Sequence, residues 1–227
     1  DDSTEMVISQ KNANRQLCMA SITKMRTCML ALERGNPMDT LYIREDVFIA
    51  KDSRVRLGEG YRLDHLISEM MLTSDNDAAY AIAKHLGEGD TLRFYDMMNQ
   101  KAAYLGMDST HFDNPNGMPN IHNYSTANDL VRLSRYCMRD SNFAKIVGTI
   151  EQSVPLADGR HMDCVNTNQL LKTYEGCIGI KTGFTRQAGN CLASAATRNG
   201  VTLYLVLLNS RSMSSRFKES AVLLDYG

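Results

Sequence analysis

The dipeptide Asn199-Gly200 restricts the possible folds of this chain more than any other feature. It lies between two β-rich runs, residues 191–197 and 201–208. Asn-Gly in this position is typical of a two-residue hairpin turn, because both residues tolerate the positive φ that the turn requires. We therefore predict two antiparallel strands, and the run at 178–182 predicts a third strand.

The middle of the chain shows helical periodicity instead. Between residues 21 and 34, apolar side chains recur at spacings of three and four, and Gly35-Asn36-Pro37 ends the pattern. Further helices are predicted over residues 63–72, 75–86, 91–105, 125–139 and 214–226.

Strands toward both chain ends with helices between them predict an α+β architecture. The short β-like run at 6–9 is interpreted as the second strand of a hairpin whose first strand is missing before Asp1. We predict one domain over residues 1–227. Its antiparallel sheet would come from both chain ends, with a mostly helical region at about 36–147 inserted between them.

Composition excludes several classes of function. The chain carries 25 Lys and Arg against 26 Asp and Glu, so no basic excess suggests a nucleic acid or an anionic membrane as partner. The longest apolar run, residues 203–208, is far shorter than the roughly 20 residues that span a bilayer. These observations favour a globular domain that acts on a small or peptide substrate.

The cysteines do not form a metal-binding pattern. No pair has the C-x-x-C spacing and no histidine pair accompanies them, so we predict no structural metal. An even count permits disulfides, but a chain of this length does not need them, and we expect mostly buried, free thiols. The cysteines are Cys18, Cys28, Cys137, Cys164, Cys177 and Cys191.

A serine and a lysine lie three residues apart at the start of the first predicted helix. Residues i and i+3 share a helix face, so the amine of Lys24 can reach the hydroxyl of Ser21. Such an amine can activate the serine if burial or a second cation lowers its pKa. The spacing alone is weak, since Ser215 and Lys218 repeat it.

Two further motifs follow in the chain. Ser74-Asp75-Asn76 opens a predicted helix, where these residue types are also ordinary N-caps. Lys181-Thr182-Gly183 lies on a predicted strand, where the lysine could equally be an edge-strand solubilising residue. S-x-x-K, S-D-N and K-T-G in this order are the motif set of class A β-lactamases and penicillin-binding proteins.

Longer stretches make the resemblance specific. These stretches resemble the D-alanyl-D-alanine carboxypeptidase family, low-molecular-mass penicillin-binding proteins that trim peptidoglycan stem peptides. They are residues 20–35, 72–79, 110–112, 114–117, 124–127, 181–185, 188–189, 215–217 and 223–227. The similarity covers nearly the whole chain. It implies the β-lactamase/DD-peptidase-like fold and a serine-type D-Ala-D-Ala carboxypeptidase.

The resemblance also implies catalytic roles. Ser21 would be the acylated nucleophile and Lys24 its general base. Ser74 would bridge the two lysines and carry the proton to the leaving amine, and Asn76 would hold the substrate carbonyl. Lys181 would supply positive potential and help keep Lys24 neutral.

Substrate binding is implied for four more residues. Thr182 and Arg216 would bind the terminal carboxylate of the substrate. The backbone N–H groups of Ser21 and Phe184 would form the oxyanion hole, with the Phe184 side chain lining the cleft. Gly183 would let the substrate backbone approach closely.

The implied reaction needs no metal and no organic cofactor. The partners would be a stem peptide ending in D-Ala-D-Ala and β-lactam antibiotics as covalent inhibitors, with no nucleic acid. The implied location is extracytoplasmic, after removal of a signal peptide. Membrane association, like the β-rich C-terminal domain of many members, would depend on segments outside residues 1–227.

Three alternatives follow from the same residues. A class A β-lactamase needs a glutamate for deacylation between the second and third motifs, and residues 89–150 contain none. A non-catalytic binder of cell-wall peptides would not need the full catalytic set. A Ser-His-Asp hydrolase is not favoured, because no G-x-S-x-G elbow occurs.

Two residues depart from the family pattern. Arg26 and Cys28 occupy positions on the first helix where the family usually has apolar or small residues. A cation in this position raises the question of what it packs against.

Overall fold

Helices and strands occur in separate runs along the chain in the computed structural model, which describes residues 1–48, 53–156 and 158–227. A 3-10 turn over Ala20–Thr23 leads directly into the first helix. The helices are α1 (Lys24–Arg34), α2 (Leu63–Leu72), α3 (Asn76–Leu86), α4 (Thr91–Tyr104), α5 (Ala127–Met138), α6 (Ser141–Gly148), α7 (Leu170–Thr173) and α8 (Met213–Tyr226). The strands are β1 (Thr40–Tyr42), β2 (Gly60–Arg62), β3 (Glu151–Pro155), β4 (His161–Val165), β5 (Cys177–Thr185), β6 (Gly189–Arg198) and β7 (Val201–Ser210).

The largest sheet is antiparallel in the order β5-β6-β7. Its β6–β7 turn is Asn199-Gly200, with φ values of 51° and 78°. Both positive values fit the mirror-image hairpin turn that the dipeptide predicts. The α+β fold class and the three predicted strands are confirmed, although each strand is longer than its apolar run.

Helix α1 lies at the centre of the molecule. Every side chain from Lys24 to Ala31 is buried, because α2, α3, α4, α5 and α6 all pack against this helix. A helix surrounded in this way has no solvent face along its buried length, so any polar side chain there needs a partner inside the protein. This requirement applies to both Lys24 and Arg26.

The predicted strand at residues 6–9 is not formed, and this expectation is wrong. Met6 and Val7 are exposed, although the Asp2 N–H donates to the Thr202 carbonyl of β7 at 2.9 Å. A β-like run becomes a strand only when it pairs with a neighbouring strand, and no strand of the described residues pairs with this run. The β5-β6-β7 sheet therefore comes from the last third of the chain, not from both ends.

The predicted helices form close to their expected bounds, but smaller elements were not anticipated. The β1–β2 ladder lies inside the region expected to be mostly helical, and the β3–β4 hairpin follows it. Strands of three to five residues give too few alternations for a period to be recognised. All six cysteines are free, and four of them are buried, as predicted.

No helix in the described part of the chain is long and apolar enough to cross a membrane.

Candidate active site

Ser21 and Lys24 meet at the start of the central helix. Ser21 lies on the 3-10 turn and Lys24 is the first residue of α1. The Lys24 Nζ donates to the Ser21 Oγ at 2.9 Å. The i, i+3 spacing thus places the amine where it can take the hydroxyl proton, as the sequence predicted.

The amine of Lys24 is buried and has three hydrogen-bond acceptors. Besides Ser21, it donates to the Asn76 Oδ1 at 2.8 Å and to the Asn116 carbonyl at 3.0 Å. Burial and, secondly, the positive charge of Lys181 hold its pKa well below the usual lysine value, although Asp75 acts in the opposite direction. A depressed pKa increases the fraction of the neutral amine, which is the form that can act as a base.

The second motif forms a sharp turn before α3. Ser74 adopts a φ of 72°, which is unusual for a residue with a side chain and marks local strain. Asp75 holds the turn as the helix N-cap, accepting from the Ala78 N–H at 2.9 Å and from the Ser53 hydroxyl at 2.8 Å. Asn76 then begins the helix with its amide oxygen on Lys24.

The predicted bridging role of Ser74 is not visible as a direct contact. Within the residues that the structure describes, the Ser74 hydroxyl makes no hydrogen bond to Lys24 or Lys181. Ser74 is partly exposed, and the role of its hydroxyl as a proton relay stays a prediction.

Lys181 is the second buried cation of the site. It lies on β5, and its Nζ donates to the Thr182 carbonyl at 3.2 Å. Burial, together with the charge of Arg216, lowers its pKa to about 7. The neighbouring Thr182 shares a hydrogen bond of 2.6 Å between its Oγ1 and the Oγ1 of Thr167.

Gly183 brings β5 against the nucleophile. A Cβ at this position would lie 2.9 Å from the Ser21 backbone nitrogen and 3.1 Å from the Met19 carbonyl. Only a residue without a side chain permits this approach. The third motif therefore needs glycine to pack on the 3-10 turn, in addition to its predicted role toward substrate.

Phe184 and Arg216 are the remaining predicted site residues beside Gly183. The Phe184 side chain is 60% exposed, in keeping with a position on the cleft wall. Arg216, on α8, is buried and donates through its Nη1 to the Gly183 carbonyl at 3.1 Å. Its Nε has no hydrogen-bond partner among the described residues, and burial lowers its pKa.

The loop at Asn116 and Gly117 is a part of the site that sequence reasoning did not assign. The Asn116 backbone carbonyl accepts a hydrogen bond from Lys24. Every residue has a backbone carbonyl, so the residue type at position 116 does not predict this contact. Gly117 has a φ of 84°, and a Cβ there would lie 1.9 Å from the Ala20 carbonyl oxygen. The N-P-N-G string was the available signal, since it predicts a tight turn.

The site contains no metal-binding arrangement in the ranges that the structure describes. No group of three or more His, Cys, Asp or Glu side chains there could hold an ion. The groups that surround Ser21 are two lysines, amide oxygens and backbone groups, which suit proton transfer and acyl chemistry.

Comparisons with known proteins agree with this geometry. The sequence model of a family described as D-alanyl-D-alanine carboxypeptidase matches residues 1–212. A D-alanyl-D-alanine carboxypeptidase of Streptomyces sp. strain K15 is 32% identical over 100% of this chain and 84% of that protein. The D-alanyl-D-alanine carboxypeptidase DacF of Bacillus subtilis is 30% identical over 98% of this chain and 59% of that protein.

Solved structures give the same result. The crystal structure of the Streptomyces K15 DD-transpeptidase superposes with a TM-score of 0.93 at 30% identity, covering 99% of this chain and 93% of that one. The fold and the serine–lysine site define a serine hydrolase of the DD-peptidase class. The chain belongs to the D-alanyl-D-alanine carboxypeptidase family, as its motifs predicted.

Proposed function

We propose that this chain removes the terminal D-alanine from peptidoglycan stem peptides through an acyl-enzyme on Ser21. The observation that carries the proposal is the 2.9 Å hydrogen bond from the buried Lys24 amine to the Ser21 hydroxyl. A serine with this partner can lose its proton as it attacks a carbonyl carbon. Family membership supports the substrate class.

In the acylation step, Lys24 takes the Ser21 proton while Oγ bonds to the carbonyl carbon of the D-Ala-D-Ala amide. The negative oxygen is stabilised by the backbone N–H groups of Ser21 and Phe184. The C–N bond then breaks, and the amine of D-alanine leaves with a proton that Ser74 relays. Water hydrolyses the ester, which releases the shortened peptide and restores the Ser21 hydroxyl.

Asn76 and Lys181 assist these steps. The Asn76 Oδ1 accepts a hydrogen bond from Lys24, and its amide N–H₂ is the group that would donate to the substrate carbonyl. The positive charge of Lys181 favours the neutral form of Lys24. A charged Lys181 and a neutral Lys24 form the active protonation state.

Thr182 and Arg216 are proposed to bind the terminal carboxylate of the substrate. The unpartnered Nε of Arg216 and the Thr182 hydroxyl supply donors suited to this planar anion. We expect Arg216→Ala to slow peptide cleavage more than acylation by benzylpenicillin. Arg216 also supports the Gly183 carbonyl, so the ratio of the two rates is the informative readout, and equal losses would contradict the carboxylate role.

β-Lactams are proposed to acylate Ser21 and to remain bound. The three glutamates between the second and third motifs, Glu88, Glu151 and Glu175, are all exposed. Glu88 forms an ion pair with Arg93. This placement supports slow deacylation over β-lactamase activity, because none of these three glutamates is buried against Ser21.

We propose an extracytoplasmic location because peptidoglycan stem peptides are matured outside the cytoplasmic membrane. Labelling of intact cells with a membrane-impermeant fluorescent β-lactam would test it. Labelling of this protein without cell lysis would support the proposal, whereas labelling only after lysis would contradict it.

The substrate proposal is tested by D-alanine release from a diacylated tripeptide that ends in D-Ala-D-Ala. The wild type should release D-alanine, and Ser21→Ala should abolish release. Ser125→Ala replaces a buried serine outside the three motifs and serves as the matched control. If the wild type binds the peptide but never cleaves it, the binder alternative is favoured instead.

A further inference from the structure

A second polar pocket lies beside the central helix, away from the catalytic serine. It has a volume of about 300 Å³ and is bordered by side chains from α1, α4 and α5. Lys24 and Arg26 are two residues apart on α1, so their side chains leave the helix in different directions. The pocket contacts Arg26, whereas Lys24 faces Ser21.

The charge of this pocket is uneven. Arg26, Arg34 and Lys101 line it, and no carboxylate is among its lining residues in the described chain. Glu33 lies nearby, but its Oε1 accepts from the Lys101 Nζ at 3.0 Å and from the Tyr136 hydroxyl. One carboxylate against three cations leaves a net positive charge of about two.

Arg26 is the unusual member of this set. Its side chain is fully buried, so it lies at the bottom of the pocket and not at the mouth. Its single hydrogen bond in the described part of the chain runs from Nη2 to the Met97 carbonyl at 3.5 Å. The Nε and Nη1 atoms have no partner there.

A buried guanidinium with two unused donors is costly. Burial lowers the Arg26 pKa only to about 10, so the group stays charged at neutral pH and cannot escape the cost by losing its proton. Nε and Nη1 lie on different edges of the planar guanidinium, and each edge pairs one of these unused donors with Nη2. A ligand with two oxygens would therefore satisfy one unused donor and offset the buried charge.

We propose that this pocket binds a small multivalent oxyanion of the phosphate class, free or as a phosphate monoester. Arg26 would donate from the bottom, while Arg34 and Lys101 would balance the charge at the mouth. The net positive charge favours a dianion over a single carboxylate. A volume of 300 Å³ exceeds that of phosphate, so an attached organic group can also enter.

The test is calorimetric titration of the wild-type protein with inorganic phosphate at constant ionic strength. We expect saturable binding to one site, and Arg26→Met should weaken it by about tenfold or more, because hydrogen bonds to charged groups are among the strong ones. Arg15→Met is the matched control: it removes the same charge from an exposed arginine, and binding should be unchanged. Absence of saturable binding, or equal binding by Arg26→Met, would overturn the proposal.

A second variant keeps the test decisive if Arg26→Met fails to fold. Arg34→Gln changes an exposed residue at the mouth and should weaken phosphate binding several-fold. Phosphate binding by this variant at wild-type strength would count against the site. A parallel titration with glycerol 3-phosphate distinguishes a phosphate monoester from free phosphate as the ligand. Tighter binding of glycerol 3-phosphate than of phosphate would indicate a monoester, and equal binding would indicate the free ion.

Discussion

Two buried cations on one helix have opposite surroundings. Within the residues that the structure describes, Lys24 donates to three oxygens at 2.8 to 3.0 Å, whereas the one hydrogen bond of Arg26 is 3.5 Å long. Both side chains are fully buried. Equal burial therefore leaves Lys24 well hydrogen-bonded and Arg26 poorly hydrogen-bonded, although the two residues are only two positions apart.

The difference lies in what each group can do about its charge. A lysine amine can lose its proton, so burial and the neighbouring Lys181 convert Lys24 into a base. An arginine keeps its proton over the working pH range, so burial leaves Arg26 as a charge with unused donors. Burial produces a catalyst in one case and an anion site in the other.

The largest expected effect is the loss of Lys24. Lys24→Met should slow acylation of Ser21 by benzylpenicillin by about 10²- to 10⁴-fold, because a positioned general base contributes on this scale. The acylation rate is measured by quenching the reaction at successive times and determining the acylated fraction from the intact-protein mass. Arg26→Met is the control on the same helix and should acylate at close to the wild-type rate. An equal loss of acylation rate in both variants would contradict the different roles of Lys24 and Arg26.

A smaller effect is expected from changing the charge beside Lys24. Asn76→Asp would place a carboxylate where the amide oxygen now lies 2.8 Å from the amine. A nearby anion raises the pKa of an amine, so the amine is protonated up to a higher pH. The rise of acylation rate with pH should therefore move to higher pH. Asn199→Asp, in the distant hairpin turn, should leave the pH profile unchanged.

Lys181 should limit acylation on the alkaline side. Its pKa of about 7 means that its positive charge is lost as the pH rises through this value, and the rate should fall there. Lys181→Arg keeps the charge over the whole range, so the alkaline fall should disappear even if the overall rate drops. Lys172→Arg, a change at an exposed residue of α7, should retain the alkaline fall. An identical alkaline fall in Lys181→Arg would contradict the assignment.

The smallest effect concerns stability. Arg26→Met removes a poorly paired buried charge and supplies an apolar chain of similar length. Replacing a buried ion by a well-packed apolar residue is often neutral or stabilising, so the free energy of unfolding should stay equal or rise by about 1 kcal/mol. Urea unfolding measures it. A loss of several kcal/mol would show that Arg26 is well paired in solution.

Much of this molecule could be predicted from local sequence. The Asn199-Gly200 turn and the helix periods rest on short-range rules, and each formed as expected. The strand at residues 6–9 failed because a strand depends on a partner elsewhere, which a short run does not reveal.

The same division applies to the functional residues. The motifs placed Ser21 and Lys24 together because three residues on a helix set their distance. The contacts of Lys24 with the Asn116 carbonyl and of Arg26 with the Met97 carbonyl depend on tertiary packing between residues about 70 to 90 positions apart. The sequence indicates that Arg26 is an unusual cation on this helix, whereas the lack of partners for its Nε and Nη1 among the described residues is a property of the tertiary structure.

Formation of a stable acyl-enzyme on Ser21 can be measured by intact-protein mass after brief incubation with benzylpenicillin. Opening of the β-lactam ring releases no leaving group, so the mass should increase by one whole antibiotic and persist for many minutes. Ser21→Ala should show no increase. An unmodified wild-type mass beside intact antibiotic would contradict the claim, and an unmodified mass beside consumed antibiotic would identify a β-lactamase instead.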